Sequence, residues 1–388
     1  MKRVNAITFL NNFVGGALSL LIPLLLLSKH MKMAEIGLVL SALPIVFLVV
    51  RLFLAAVADQ VGWSHIFTLV NWPATFLATA IYYIANSLTA FLAGKVVEGV
   101  RESSYWAVNR TAIFNLSPQR EGREATRTNA IIWLATAVGS AVAGLTIALA
   151  GFSWTLLVLM IASGVIGVPA CLLWKAGKRS SKPATSFFRS MDPRGKGNAF
   201  WWASLALMFN SIATYPILQF LLPVFMQVNL GYDYISIGVL FMSYNIVASA
   251  TTFFTLKVGL STKRAVAQSM IALVGSAILA SSGLFFPAVF LALGFVRGFA
   301  VAYFEHLIHK IAKDSKNLCV DIAWLHVPMR LAEFTTVVSF GFLAQVIGYM
   351  PVFAATGVFW ALFSLMSVYQ LGFGKTNPKI LGADPLVD

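Results

Sequence analysis

Apolar residues run along this chain in long blocks separated by short polar punctuation, rather than alternating with polar residues on a helical or strand period. Apolar runs of about twenty residues are what a helix needs to cross a bilayer, whereas a soluble helix carries a single apolar stripe. Dividing the chain at its polar punctuation predicts helices over 5–27, 36–57, 66–86, 88–109, 128–150, 153–174, 199–227, 236–256, 265–285, 287–309, 322–346 and 350–371. The first starts directly after Met1, Lys2 and Arg3, is too long for a signal-peptide core, and is expected to be retained. The expected fold class is an all-α membrane protein of twelve helices arranged as two pseudo-symmetric six-helix bundles. The expected domains are a bundle over 1–174, a basic linker over 175–198, a second bundle over 199–374 and a tail over 375–388.

Composition agrees. The 388 residues are 59% hydrophobic and 11% charged, against about 25% charged in a soluble domain. That excludes a cytosolic enzyme, a disulfide scaffold and a disordered chain. The net charge of +14 suggests nucleic acid until the bases are placed. With the N-terminus inside, 21 Lys and Arg fall on the inner side, Arg110 and the linker bases among them, and only Lys29 and Lys32 on the outer side. Such asymmetry orients a protein with its basic loops cytoplasmic. Both termini are therefore expected in the cytoplasm of a cell's inner membrane, with the lipid bilayer and no nucleic acid as partner. Cys171 and Cys319 make no framework, no cofactor or metal is implied, and a monomer is expected.

The halves echo each other at an offset near 200 residues. FLAGKVVEGV at 91–100 lies over FLALGFVRGF at 290–299 with five identities, and Pro23 answers Pro223. Two such repeats around a midplane site are the architecture of alternating-access transporters.

Here the whole chain resembles the major facilitator superfamily. That family's loop between helices 2 and 3, roughly G-x-x-x-D-R-x-G-R-[RK], is similar to residues 55–64, where Asp59 and Gly62 match while Ala55, Gln60, Trp63 and Ser64 depart. Lys95, Glu98 and Gly99 resemble its helix 4 pattern, with Lys for Arg. Residues 139–144 resemble an antiporter motif of helix 5 without its proline. The resemblance implies that helices 1, 4, 7 and 10 line a central cavity, and that the base matched by Lys95 serves proton transfer.

Nine ionisable residues lie inside the predicted spans: Arg51, Lys95, Glu98, Arg101, Glu102, Arg297, Glu305, Arg330 and Glu333. Each costs about 2.5–3.5 kcal/mol at the bilayer centre, so most should pair. At 100° per residue, Lys95, Glu98, Glu102, Tyr105 and Asn109 share one face of helix 4; His326, Arg330 and Glu333 share one face of helix 11. Either stripe suits a solute cavity or an interhelical clamp. Asn12, Arg101, Tyr105, Tyr215, Gln219, Arg297, Arg330 and Glu333 are the candidate solute contacts. Glu98, Glu102 and Lys95 are the candidate proton-coupling group, because desolvation favours a neutral carboxyl and a nearby cation favours the carboxylate. Asp59, Gly62 and Arg51 are the candidate gate. Glu98 and Arg297 match under the repeat and are expected to pair in one closed state. Glu305, His306 and His309 do not follow zinc-hydrolase order and read as a polar helix end. Trp63, Trp154, Trp174, Trp201, Trp202 and Trp324 read as interfacial anchors.

No phosphate-cradling loop or nucleophile-and-base spacing is present, so neither an enzyme nor ATP-driven transport is expected. The leading function is a proton-coupled secondary transporter of a small organic solute. The alternative is a non-transporting sensor or interaction subunit of the same fold.

Overall fold

The computed structural model describes residues 1–117, 121–174, 192–312, 315 and 318–372, among which every regular element is helical. Helix α1 is Lys2–Ser28 and α2 is Met33–Val61. α3 runs through Trp63–Ile66, a π-helical turn Phe67–Asn71 and Trp72–Ile84; α4 is Leu88–Leu116. The stretch Glu121–Val165 breaks at Gly151 (φ 81°, ψ 178°) into α5 and α6, and α6 continues through Gly167–Leu173. In the second half, α7 comprises Asn198–Pro216, a π-helical turn Ile217–Leu221 and Leu222–Val228. α8 is Tyr234–Val258, α9 Thr262–Ile278 and α10 Phe286–Ala312; α11 comprises Leu318–Leu325 and Val327–Ile347, and α12 is Tyr349–Leu371.

Nine stretches among the described residues are long and apolar enough to cross a membrane. The outward surface is apolar as lipid contact requires: Leu149 is 75% exposed and Ile161 63%, where a soluble protein would present charge. The all-α membrane fold is the one expected. Most of the linker, 175–191, and the tail 373–388 lie outside the described residues, as do Arg120, Lys313 and Lys316.

Local chemistry explains the element boundaries. Ser87, Asp233 and Ser261 accept hydrogen bonds from the backbone N–H three residues on, capping α4, α8 and α9. In the Asp233 loop the Ser236 side chain and, after it, the Ser236 backbone N–H hold the carboxyl below its ordinary range. Gly62 (φ 103°) and Gly259 (φ 70°) make the turns after α2 and α8, the same place in each half. Their left-handed backbone suits a residue without Cβ. The repeat is thus written in the backbone as well as in side chains.

The halves meet where α2 packs on α11 and α5 packs on α8. Small residues make the second seam close. A Cβ on Gly144 would lie 2.8 Å from the Gly238 Cα, and one on Gly139 only 2.1 Å from the Phe13 carbonyl oxygen of α1. Lipid tails are as apolar as leucine, so such backbone approach drives helix association in a membrane. The glycine pattern of helix 5 is therefore, in this chain, a packing seam shared by α1, α5 and α8. Trp154, Trp174, Trp201 and Trp202 are exposed as an aromatic belt requires, but Trp63 is buried against Phe67 at the turn between α2 and α3.

Gly139→Val would drive a branched side chain into α1. It should lower the melting temperature of detergent-purified protein by several degrees or prevent folding, whereas Gly164→Ala, with open space around its Cβ position, should leave it within a degree.

Candidate functional site: a charged cavity between the halves

A central cavity of ≈ 230 Å³ is lined from both halves by α1, α2, α4, α5, α7, α10 and α11. Ten of the residues expected at the site line it: Asn12, Arg51, Glu98, Arg101, Glu102, Tyr215, Gln219, Arg297, Arg330 and Glu333. Lys95, Tyr105, Asp59 and Gly62 do not.

The α4 stripe is an ion-pair ladder. Lys95 Nζ lies 2.8 Å from Glu98 Oε2, and the Tyr82 hydroxyl of α3 donates to the same oxygen at 2.6 Å. Arg101 donates to Glu102 and lies 4.0 Å from the other Glu98 oxygen, while Trp106 Nε1 donates to Glu102 Oε2 at 2.8 Å. Lys95 therefore stands behind the wall, its ammonium over the Tyr82 ring. Tyr105, expected in the cavity, is fully buried because α1 covers that end of the stripe: Thr8 and the Tyr105 hydroxyl are 3.2 Å apart. Arg101 is tied further by Nη1 to the Asn11 carbonyl, and Asn71, in the π-helical turn of α3, donates to Asn11, Ser104 and the Arg101 carbonyl. The sequence reading missed Asn71 and Tyr82. The only hint for Asn71 was a lone amide in an apolar span.

On α11, Arg330 and the Ser211 hydroxyl of α7 both donate to Glu333. His326 sits at the break before Pro328, its Nδ1 2.6 Å from the Ile322 carbonyl oxygen. The Arg330 guanidinium lies 3.6 Å from the centroid of the Phe47 ring of α2. Arg51, also of α2, lies 5.1 Å from that centroid, and its Nε and Nη2 have no hydrogen-bond partner among the described residues.

Glu98 and Arg297, expected to pair in one closed state, are apart in this structure, where Arg297 stacks on Trp133 at 4.9 Å and reaches Asn210 Oδ1 at 3.5 Å. One expectation changes. Arg110, counted among the loop bases, is buried, because α4 continues seven residues past Asn109, the expected end of its span, to Leu116. It forms a two-pronged pair with Glu305 of α10, one prong being Nε to Oε2 at 3.0 Å, between the rings of Trp106 and Phe304. Glu305 is thus engaged across the halves, while His306 turns to the Ala302 carbonyl and His309 to the Phe114 ring.

Further contacts join the halves near that pair. Asp59 Oδ2 accepts from the Val320 N–H at 3.4 Å, and the Thr111 hydroxyl lies 2.9 Å from the Cys319 sulfur. At the opposite end, Gly37 of α2 packs on Val337 of α11, and Gly144 on Gly238. Both ends of the cavity are spanned by contacts between halves.

A family model described as Major Facilitator Superfamily matches residues 4–317. Among solved structures, the human organic anion transporter MFSD10 (TETRAN) is similar in fold, with a TM-score of 0.70 and 14% identity over 94% of this chain and 99% of that one. No curated protein sequence matches this chain.

Removing one member of a buried ion pair strands the other, at about 3–5 kcal/mol, whereas removing both costs less. Glu305→Gln should therefore lower stability more than the double change Arg110→Gln with Glu305→Gln, read as denaturation midpoints of the purified protein. Additive losses would show that the pair does not hold the halves together.

Proposed function

Because the chain belongs to the Major Facilitator Superfamily, we propose that it is a secondary active transporter. It moves a small organic solute across the cytoplasmic membrane by rocking one half against the other. The observation that carries this reading is the charged cavity walled by both halves, with separate sets of contacts between halves at its two ends. A solute bound there touches both halves, so each of its contacts can differ between the two openings. Those differences are what a ligand needs to shift a conformational equilibrium.

Proton coupling runs through α4 in this reading. Glu98 is enclosed by Lys95, Tyr82 and Arg101, with 5% of its side chain exposed, whereas Glu102 keeps 21% exposed. Glu102 is the carboxylate with access to protons. Arg101 stands between the two, donating to Glu102 and 4.0 Å from Glu98. A proton arriving on Glu102 removes the charge that holds Arg101 and frees the guanidinium to move onto Glu98. That movement strains the ties from Arg101 and Asn71 to α1 and so couples protonation to helix position. Asp59 and the Arg110–Glu305 pair form the inner gate, with Gly62 setting the turn behind Asp59.

In proteoliposomes with an imposed pH gradient, the wild type should accumulate its solute. Glu102→Gln should lose the response to the gradient while retaining solute exchange; Glu98→Gln should lose both. Wild-type transport indifferent to the gradient would sink the coupling. Solute binding without any movement would favour a sensor.

In this reading both termini lie in the cytoplasm, which the excess of Lys and Arg in the loops on that side supports. In a Cys-free background, a cysteine at Asn229 should be labelled by an impermeant thiol reagent in intact cells, and one at Arg194 should be shielded. The reverse pattern would invert the orientation.

A further inference from the structure

Among the described residues, matching each charge in and around the cavity with its partner leaves two over, and both are cationic. Glu98 is taken by Lys95, Glu102 by Arg101, Glu333 by Arg330 and Glu305 by Arg110. Arg51 and Arg297 line the same cavity and make no salt bridge among the described residues. The sum of charges in the predicted spans is close to neutral; the pairing is not, because Arg110 joins the interior and takes Glu305.

The two guanidiniums are held in a similar way. Arg51 lies over the Phe47 ring and Arg297 over the Trp133 ring, 5.1 and 4.9 Å from the centroids. A ring stabilises a guanidinium through its face and leaves the N–H edge free. On that edge, among the described residues, Arg51 has Nε and Nη2 without acceptors, and Arg297 has an unpartnered Nε and one long bond to Asn210. Arg51 is only 2% exposed. A guanidinium withdrawn from water with its donors unused is costly. It becomes favourable when an oxyanion supplies the acceptors, ideally a carboxylate that matches the fork. Glu333 interacts electrostatically with both arginines but is already held by Arg330 and Ser211.

We infer that the cavity takes a small organic anion, its carboxylate seated on Arg297 beside Asn210 and Trp133, in the positive field of Arg51. This rests on the transporter reading for its consequence, movement of the anion, but not for its binding. Trp106, Trp133, Phe304 and Tyr215 on the same walls suit an apolar or aromatic body. An amine in the same place would meet two cations and no free carboxylate.

The test is thermal unfolding of the full-length protein in detergent at neutral pH and low chloride. The ligands are benzoate, 2-naphthoate and succinate, with benzamide and benzylamine as neutral and cationic counterparts, and potassium chloride and inorganic phosphate as simple anions. At least one carboxylate should raise the melting temperature with concentration, as binding to the native state requires, and the amide and amine should not. Arg297→Gln should weaken that binding at least tenfold, and Arg297→Lys, which keeps the charge without the fork, should weaken it less. Arg51→Gln should weaken it several-fold. Neither glutamine variant should lower the unliganded melting temperature by more than a degree, since each loses a cation that lacks a carboxylate partner.

The inference is overturned if no carboxylate stabilises the protein, if benzylamine does so instead, or if Arg297→Gln binds as the wild type does. A shift reproduced in full by chloride or phosphate would overturn the organic part. A large fall in unliganded stability would overturn the assignment of these arginines to the ligand. The two readings fail separately. Carboxylates that bind but never enter proteoliposomes would end the transporter reading alone; an accumulated amine would end the anion reading alone.

Discussion

A charge inside a bilayer has no water to turn to, and that constraint organises the interior of this protein. Each ionisable side chain within a span opposes insertion unless the fold offers it a partner. The rotation of α4 about its axis is accordingly set by its ladder of Lys95, Glu98, Arg101 and Glu102, which must face protein. Tyr82 and Asn71 on α3 are the groups that meet the ladder, and Asn11 on α1 closes it from the other side. On α11, Glu333 is met by Arg330 and by Ser211 of α7. The π-helical turn Phe67–Asn71 fits the same logic, since it presents Asn71 where three acceptors converge.

The halves are joined by two kinds of contact with different consequences for motion. Along α5 and α8 the backbones nearly touch at Gly144 and Gly238. A surface made of small residues has little side-chain relief, so it can roll without disengaging large groups. At one end of the cavity the contacts are polar and few: Arg110 with Glu305, Asp59 with the Val320 N–H, Thr111 with Cys319. Polar contacts of this kind can be broken cleanly when water enters. The smooth seam and the breakable contacts at one end are what the rocking motion proposed above would need. The family and the pseudo-repeat in its turns, Gly62 with Gly259 and Gly151 with Gly348, agree with that description.

What the sequence determined by itself was the fold class and most of the charges on the cavity wall. Long apolar blocks can be satisfied only by helices in lipid. A charge within such a block must turn inward, and Arg51, Glu98, Arg101, Glu102, Arg297, Arg330 and Glu333 all line the cavity. Helical periodicity then grouped them by face. Three things were decided only by tertiary structure. Depth along the helix axis was one: Tyr105 shares the face of Glu98 but lies where α1 covers it, and Arg110 belongs to the interior because α4 is longer than its apolar run. Neutral partners were another, because a tyrosine or asparagine in an apolar span carries no sign of which charge it will meet; Tyr82 and Asn71 show this. The last was pairing. Composition supplies the charges and their approximate balance, but which carboxylate meets which cation depends on distances of a few ångströms between helices far apart in the chain. The four pairs that form, and the two arginines left without one, exist only in the packed protein.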